Sequence, residues 1–443
     1  MRERARSAAV SNPARMTVVA FGGLIAIGTL LLRLPFAVDS GHPGTAHALF
    51  TSTSAVTVTG LASFEIDKLT LFGELVVLGL IQVGGFGIMT ISSVLALLAS
   101  RRLGLRQRMR ARTEFGDIDI GDMRRLLGAV GLITLTVELT IAVALFLRFW
   151  ATGQGVGRAA YGGVFHAISA FNNAGFALRS DSLMSYAGDP VVLVLITVAI
   201  IAGGLGFPVV LELVKRRGTR MSLHARVTLT MTVTLLIAGP LIIGTFEWTN
   251  PDTIGAMPLG DKLANTWMMG VSPRTAGFNA VDIGAANPST LMVMIVLMFI
   301  GGGPASTAGG VKVTTFAVLG YVLWSEVRGD ADVNLFHRRL PAAVLRQAIA
   351  VVLLAVGAIT GITLILLAAS DVTIGASLFE ATSAFGTVGL STGITPGLPT
   401  ISLMSLVLLM FVGRLGPVTM VTALVLRGRR RLYTYPEERP IIG

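Results

Sequence analysis

The sequence predicts an all-α polytopic membrane protein of eight transmembrane helices, built as four covalent repeats of span, re-entrant helix, glycine-bearing strand and span. Three observations predict it. The 443 residues are 53% hydrophobic and 13% charged, where a globular domain carries about 25% charged residues. The apolar residues fall into runs of the ~20 residues that a crossing needs. A short glycine signature also returns four times along the chain.

The net charge is +11 and cysteine is absent. Without cysteine there is no disulfide framework, thiolate zinc site, iron–sulfur cluster or Cys nucleophile. The basic residues are bunched between apolar runs, not spread along grooves or aromatic platforms, so no nucleic-acid partner is expected. His42, His47, His166, His224 and His337 are scattered without metal-ligand spacing. With no paired carboxylates and no nucleophile beside a base, an integral membrane enzyme is disfavoured.

Long apolar runs lie near 16–37, 70–100, 126–150, 190–214, 227–246, 288–324, 342–369 and 401–426. Shorter runs near 44–57, 159–172, 257–271 and 374–386 are too short to cross and read as re-entrant segments. The first run is too long, and lacks the small-residue site, for a cleaved signal peptide. Orientation follows from the basic residues. They cluster at Arg2–Arg15, Arg101–Arg125, Lys215–Arg226, Arg328–Arg346 and Arg427–Arg439, all on one side of an eight-span chain. Both termini are therefore expected in the cytoplasm, in a multi-pass protein of the cytoplasmic membrane. The same clusters suit anionic membrane lipid, and a cytoplasmic partner is the sharper alternative.

Four stretches align without gaps on one glycine: TSAVTVTGL, ISAFNNAGF, GVSPRTAGF and TSAFGTVGL, on Gly60, Gly175, Gly277 and Gly389. Each is preceded at a constant distance by an aromatic residue, Phe50, Phe165, Trp267 or Phe379, and then by a small one, Ala55, Ala170, Ser272 or Ala384. A second anchor follows in the next span, where a glycine-rich break reads VGGFG, AGGLG, IGGGP and VGRLG. The repeats run over residues 1–112, 113–220, 221–334 and 335–443. Non-helical backbone at membrane depth is tolerated only where protein buries it or water lines it, so the four units are expected to surround a central pore.

Carbonyls of an extended strand can replace the hydration shell of a cation, and rings of them form selectivity filters. Glycine permits the dihedrals that turn successive carbonyls inward. A short helix ending at the axis also aims its partial negative charge there. The ion-binding candidates are Thr57, Val58, Thr59, Gly60, Asn172, Asn173, Ala174, Gly175, Thr275, Ala276, Gly277, Thr387, Val388 and Gly389. The charged exception, Arg274, is expected to turn away and fix its loop. With no Asp or Glu ring, a monovalent cation is indicated. Asp67 and Glu65 either concentrate cations at the outer mouth or belong to a solvated loop. His166 and Glu380 are expected to be buried and hydrogen-bonded.

The stretches TVTGL, NNAGF, RTAGF and TVGLS resemble the filter signatures of the Trk/Ktr/HKT superfamily of potassium transporters. The segment GGGPASTAGGVK at 301–312 resembles that superfamily's gating loop. The first span begins near residue 16, leaving no room for the extra N-terminal spans of Trk-type subunits, so the likeness is to a Ktr-type membrane subunit. It implies channel-like K+ uptake by a homodimer with one pore per protomer and a cytoplasmic nucleotide-binding ring that regulates it. No organic cofactor is implied, and sodium dependence is left open. Glycine in all four filter positions matches the potassium-preferring pattern; sodium-preferring relatives carry Ser where this chain has Gly60.

Aligning the second anchors places Gly85, Gly204 and Gly302 opposite Arg414. A mid-membrane charge costs about 2.5–3.5 kcal/mol on insertion scales and usually marks a pathway. Gly301, Gly302, Gly303, Ser306, Thr307, Gly309 and Gly310, closed by Lys312, cannot continue a helix. A gate is therefore expected from this loop and Arg414, an assignment the resemblance also implies. Two rivals remain: a sodium-coupled or poorly selective transporter of the same superfamily, and a secondary transporter of an organic solute. The latter normally has a midplane cavity within paired repeats, whereas Glu138 is the clear mid-span carboxylate here.

Overall fold

The chain, seen in a computed structural model, is described over residues 13–39, 44–64, 66–101, 123–215, 221–330 and 332–426. Its helices are α1 Pro13–Leu32, α2 Thr45–Val56, α3 Leu71–Arg101, α4 Met123–Ala151, α5 Val156–Phe171, α6 Pro190–Gly204 and α7 Phe207–Lys215. They continue as α8 Leu223–Glu247, α9 Leu259–Val271, α10 Pro288–Phe299, α11 Val313–Arg328, α12 Ala342–Ala369, α13 Ile374–Gly386 and α14 Thr400–Leu426. The short helices α2, α5, α9 and α13 each follow a longer one and pack against it. The basic clusters at 1–12, 102–112, 216–220 and 427–439, together with His42 and Glu65, lie outside the described residues.

Within the described residues, α8, α12 and the stretches Leu71–Ile91 and Leu127–Ala151 are long and apolar enough to cross a membrane alone. The bent pair α6–α7 makes a fifth candidate, while Met16–Leu32, α10 and Thr400–Gly416 are apolar but shorter. The outward faces settle the solvent. Leu132, Leu135 and Leu139 on α4, Leu241 on α8, and Leu353 and Leu354 on α12 are all more than half exposed. Contiguous apolar surface of this kind is stable against lipid and not against water. This is an integral membrane protein.

Local chemistry sets the helix ends. Pro190 opens α6 behind Asp189, whose carboxylate accepts from Val192 N–H at 3.3 Å. Ser222 caps α8 through Ala225 N–H, and Glu212 accepts from the Ser222 amide and hydroxyl at 2.6 and 2.7 Å. Glu247, fully buried at the far end of α8, accepts from Asn250, Thr253, Thr290 and the Asn287 amide. The aromatic residues Phe50, Phe165 and Phe379 are fully buried within the short helices. His166 Nδ1 meets Gly162 O at 2.8 Å, and Glu380 accepts from the Thr395 hydroxyl.

The glycine-rich stretches behave differently from one another. AGGLG and IGGGP interrupt their helices: α6 and α7 meet at 99°, and α10 and α11 are separated by the loop at 300–312. VGGFG and VGRLG do not break theirs, since α3 and α14 run through them. Their glycines serve close approach instead, because a Cβ on Gly84 or Gly413 would collide with the carbonyl oxygen of Val56 or Phe385. One small departure from an all-α chain is a hairpin, Asn334–Leu335 with Arg338–Arg339. Its turn residues Phe336 and His337 both have positive φ, as a two-residue turn demands.

These contacts predict opposite outcomes for two glycine substitutions. Gly413→Ala should destabilise the detergent-solubilised protein by about 1–3 kcal/mol through overpacking. Gly357→Ala, on an open face of α12 with nothing within 4 Å, should be neutral or stabilise by up to ~1 kcal/mol. Thermal unfolding of the two variants measures the difference.

Candidate ion-binding site

Each short helix stops at the same kind of turn. Val58, Asn173, Thr275 and Thr387 have φ of 55°, 58°, 73° and 49°, and two residues later Gly60, Gly175, Gly277 and Gly389 have 99°, 68°, 77° and 96°. Thr59, Ala174, Ala276 and Val388 between them stay at negative φ. The sign of φ therefore alternates along each leg. Left-handed φ at a non-glycine costs about 1–3 kcal/mol and persists where surrounding structure enforces it. Val58, Thr275 and Thr387, being β-branched, are more strained there than Asn173.

The four glycines form a closed circuit. A Cβ on Gly60 would stand 2.5 Å from Ala174 O, and one on Gly175 would stand 2.9 Å from Ala276 O. On Gly277 it would collide with Val388 O, and on Gly389 with Thr59 O. Each leg thus abuts the next in chain order, and the last abuts the first. Only hydrogen fits between them.

One N–H group of each leg is tied back to the serine near the end of its short helix. Thr59, Ala174, Ala276 and Val388 donate to the carbonyls of Ser54, Ser169, Ser272 and Ser383 at 2.7, 2.8, 2.9 and 2.8 Å. The same serines brace each leg by side chain, in two polarities. Ser54 and Ser383 accept from Gly60 and Gly389 N–H at 3.0 and 3.1 Å. Ser169 and Ser272 donate to Phe176 O and Phe278 O. Sequence reasoning named Ser272 as the small residue of its stretch but passed over Ser54, Ser169 and Ser383, which stand beside the small residue of theirs.

A cavity of about 310 Å³ opens on one side of the ring, lined by all four glycines and by Phe176, Arg179, Asp282 and Ser391. Asp67 lies exposed in the loop after the first leg. The loop at 300–312 meets the residues that precede the glycines. Thr307 Oγ1 donates to Phe171 O at 3.2 Å, Thr307 N to Gly203 O at 3.3 Å, and Gly303 N to Gly204 O at 2.8 Å. A Cβ on Gly309 would strike the Thr387 hydroxyl. From α14, Arg414 donates to Thr307 O at 2.5 Å, while Lys312 donates to Ala308 O at 2.5 Å. Arg414 is buried, and its Nε and other Nη have no partner among the described residues. Gly301, Gly302, Ser306 and Gly310 complete the loop, with Ser306 Oγ donating to Gly303 O at 2.6 Å.

Not every candidate side chain faces the ring. The Thr57 hydroxyl returns to Thr53 O, and Asn172 Nδ2 points to Gln82, Glu138 and Ile168 O. Asn173, oriented to donate, reaches Ala170 O and Ile200 O at 3.0 and 3.1 Å. Arg274, 7% exposed, turns to Thr232 O on α8. What the candidates share is backbone.

The sequence profile of the TrkH family, described as cation transport protein, matches residues 1–429. The chain belongs to the TrkH family. The family comprises cation transport proteins, not enzymes. Ktr system potassium uptake protein B of Bacillus subtilis is 38% identical over 424 residues, covering 93% of this chain and 92% of its own. The protein of that name from Vibrio alginolyticus is 35% identical, covering 99% and 96%. Potassium/sodium uptake protein NtpJ of Enterococcus hirae is 32% identical, covering 98% and 97%. The crystal structure of the potassium transporter TrkH from Vibrio parahaemolyticus superposes with a TM-score of 0.73 over 94% of this chain and 84% of that one. At 20% identity it bears on the TrkH fold alone.

Proposed function

We propose that this TrkH-family chain is the pore subunit of a potassium uptake system of the cytoplasmic membrane, conducting K+ through the ring of four glycine legs. The observation that carries the reading is the ring itself. At least one N–H of every leg is tied back and the backbones meet without room for a Cβ, an arrangement that suits carbonyls replacing the hydration shell of a dehydrated cation. The legs contain no carboxylate, which favours a monovalent ion. The names of the two Ktr system relatives support potassium, and support a system with more than one component.

In this reading α1, α10–α11 and α14 join the other long helices to make eight spans in four repeats, 1–112, 113–220, 221–334 and 335–443, with both termini cytoplasmic. Two copies form a homodimer with one pore each. A separate cytoplasmic nucleotide-binding subunit controls them, docking on the basic clusters. The loop at 301–312, held by Arg414, is the gate. A guanidinium ~5 Å from a K+ ion at an effective ε of ~20 repels it by about 3 kcal/mol. That is comparable with an inward drive of about 2.3 kcal/mol per ~100 mV. The relative named for potassium and sodium supports a second reading, a sodium-coupled or weakly selective transporter.

Potassium uptake by a potassium-auxotrophic bacterium expressing the chain, with and without sodium, separates the two readings. Growth rescue without sodium supports selective K+ conduction, rescue only with sodium supports coupling, and no rescue under either condition removes both. Gly60→Ser, and the same change at Gly175, Gly277 or Gly389, should lower the K+/Na+ preference by about tenfold or more, one kcal-scale contact per leg. Unchanged competitive uptake in all four variants sinks the filter.

The gate makes a separate prediction. Arg414→Ala, or a shortened 301–312 loop, should raise maximal K+ flux and leave selectivity within about twofold. A loop deletion that inserts normally yet transports no faster, in the absence of any regulatory partner, contradicts the gate.

A further inference from the structure

Glu138 stands in the middle of α4, buried at 6% exposure, far from either end of a helix that faces lipid. A carboxylate there is costly unless it is hydrogen-bonded and functional. None of the ion pairs among the described residues includes it. Its partners are two neutral amides from two other segments. Gln82 on α3 donates to Oε2 at 3.2 Å, and Asn172 donates to Oε1 at 3.1 Å. The triangle closes because Asn172 Nδ2 also donates to Gln82 Oε1 at 2.8 Å.

Asn172 is the residue on which α5 ends and the second leg begins. With a carboxylate, a Gln carbonyl and Ile168 O all accepting from Nδ2, its amide has one allowed orientation. Oδ1 is thereby pressed toward Gly85, where a Cβ would overlap it, and has no donor among the described residues. The residues at the equivalent position of the other legs are Thr57, Arg274 and Gly386. Thr57 is braced within its own helix, and Arg274 reaches only a backbone carbonyl at 3.5 Å. Among these four positions, only Asn172 donates to an anionic side chain from another helix. The next residues, Asn173 to Gly175, carry the alternating backbone of that leg.

We propose that Glu138 is a positioning residue for ion selection. By holding Asn172 together with Gln82, it fixes the base of the second leg and so the spacing of that leg's carbonyls in the ring. The proposal rests on the legs being the filter. The carboxylate touches no ion; it acts through Asn172.

The test uses the full chain in proteoliposomes, comparing K+ and Na+ uptake for Glu138→Gln, Glu138→Ala, Asn172→Ala, the double alanine variant, and Gly175→Ser as a filter control. Glu138→Ala should lower the K+/Na+ ratio by about tenfold, the scale of one hydrogen bond to a charged group. Glu138→Gln, which keeps an acceptor but not the charge, should give about a threefold fall. The double variant should be no worse than Asn172→Ala alone, because residues acting through one contact are not additive. If the alanine variants fail to insert, the ratio for Glu138→Gln decides. A purely structural role would reduce the amount of inserted protein and leave the ratio unmoved, which overturns the proposal. So does full additivity of the double variant. If Gly175→Ser changes the ratio while the Glu138 variants do not, the proposal falls and the filter stands. If Gly175→Ser also has no effect, the filter reading has failed and takes the proposal with it.

Discussion

Everything in this chain answers to one steric demand: four separate backbones must come together inside a membrane protein with nothing larger than hydrogen between them. A glycine Cα at 2.9 Å from the place where a neighbour's Cβ would stand leaves no tolerance for a side chain. Backbone brought together in this way cannot be helical, so its polar groups need other partners in a medium that offers none. One donor in each leg is satisfied by a serine carbonyl, and the Gly60 and Gly389 N–H groups are satisfied by the Ser54 and Ser383 hydroxyls. On the proposed reading the ring presents its carbonyls where four helix C-termini already contribute partial negative charge. On that reading, cation preference needs no acidic side chain in the legs.

A second tier of glycines carries the ring. Gly84, Gly203 and Gly413 lie against the carbonyl oxygens of Val56, Phe171 and Phe385, the last residues or near-last residues of three short helices. These contacts let α3, α6 and α14 sit directly under the ends they support. In the remaining quarter the partner is different, since Gly301 abuts Gly309 within its own loop. That segment has given up helical continuity and spends its backbone polar groups on its neighbours, at Gly203, Gly204 and Arg414. On the proposed reading this helix-free segment is the gate, and its glycines let it rearrange without melting a helix.

Legibility in the sequence tracked how local each interaction is. The short helices, their glycine turns and the break at 300–312 were readable, because each is written within ten or so contiguous residues whose chemistry allows few conformations. The 99° bend between Gly204 and Phe207 was not, since AGGLG differs little from VGGFG, through which α3 runs straight. The difference lies in what packs beside them: the Gly206 position faces Pro304 O from the loop, a contact no local pattern encodes. The opposite polarity of the bracing serines is equally nonlocal in cause, as is the meeting of Gln82, Glu138 and Asn172 from three helices. The glycine repeat pointed to the legs and the glycine run to the loop, but neither encodes these partners distant in sequence.

Covalent linkage of four similar legs has a consequence that a symmetric assembly of identical subunits lacks. With one gene per subunit, a group placed behind one leg would be placed behind all, and a guanidinium under the ring would appear four times. Here the residue entering each leg is free to differ, and it does: Thr57, Asn172, Arg274 and Gly386 occupy one position with four chemistries. The fourfold backbone can therefore be kept while charge is distributed unequally around it, with Glu138 behind the second leg, Arg274 behind the third and Arg414 at a single point beneath. A single arginine repels a passing cation by an amount that membrane voltage can rival, whereas four would add to a barrier several times larger. On the proposed reading, the asymmetry is what allows one structure to bind a cation at the ring and still hold the path beneath it shut by an interaction weak enough to be released.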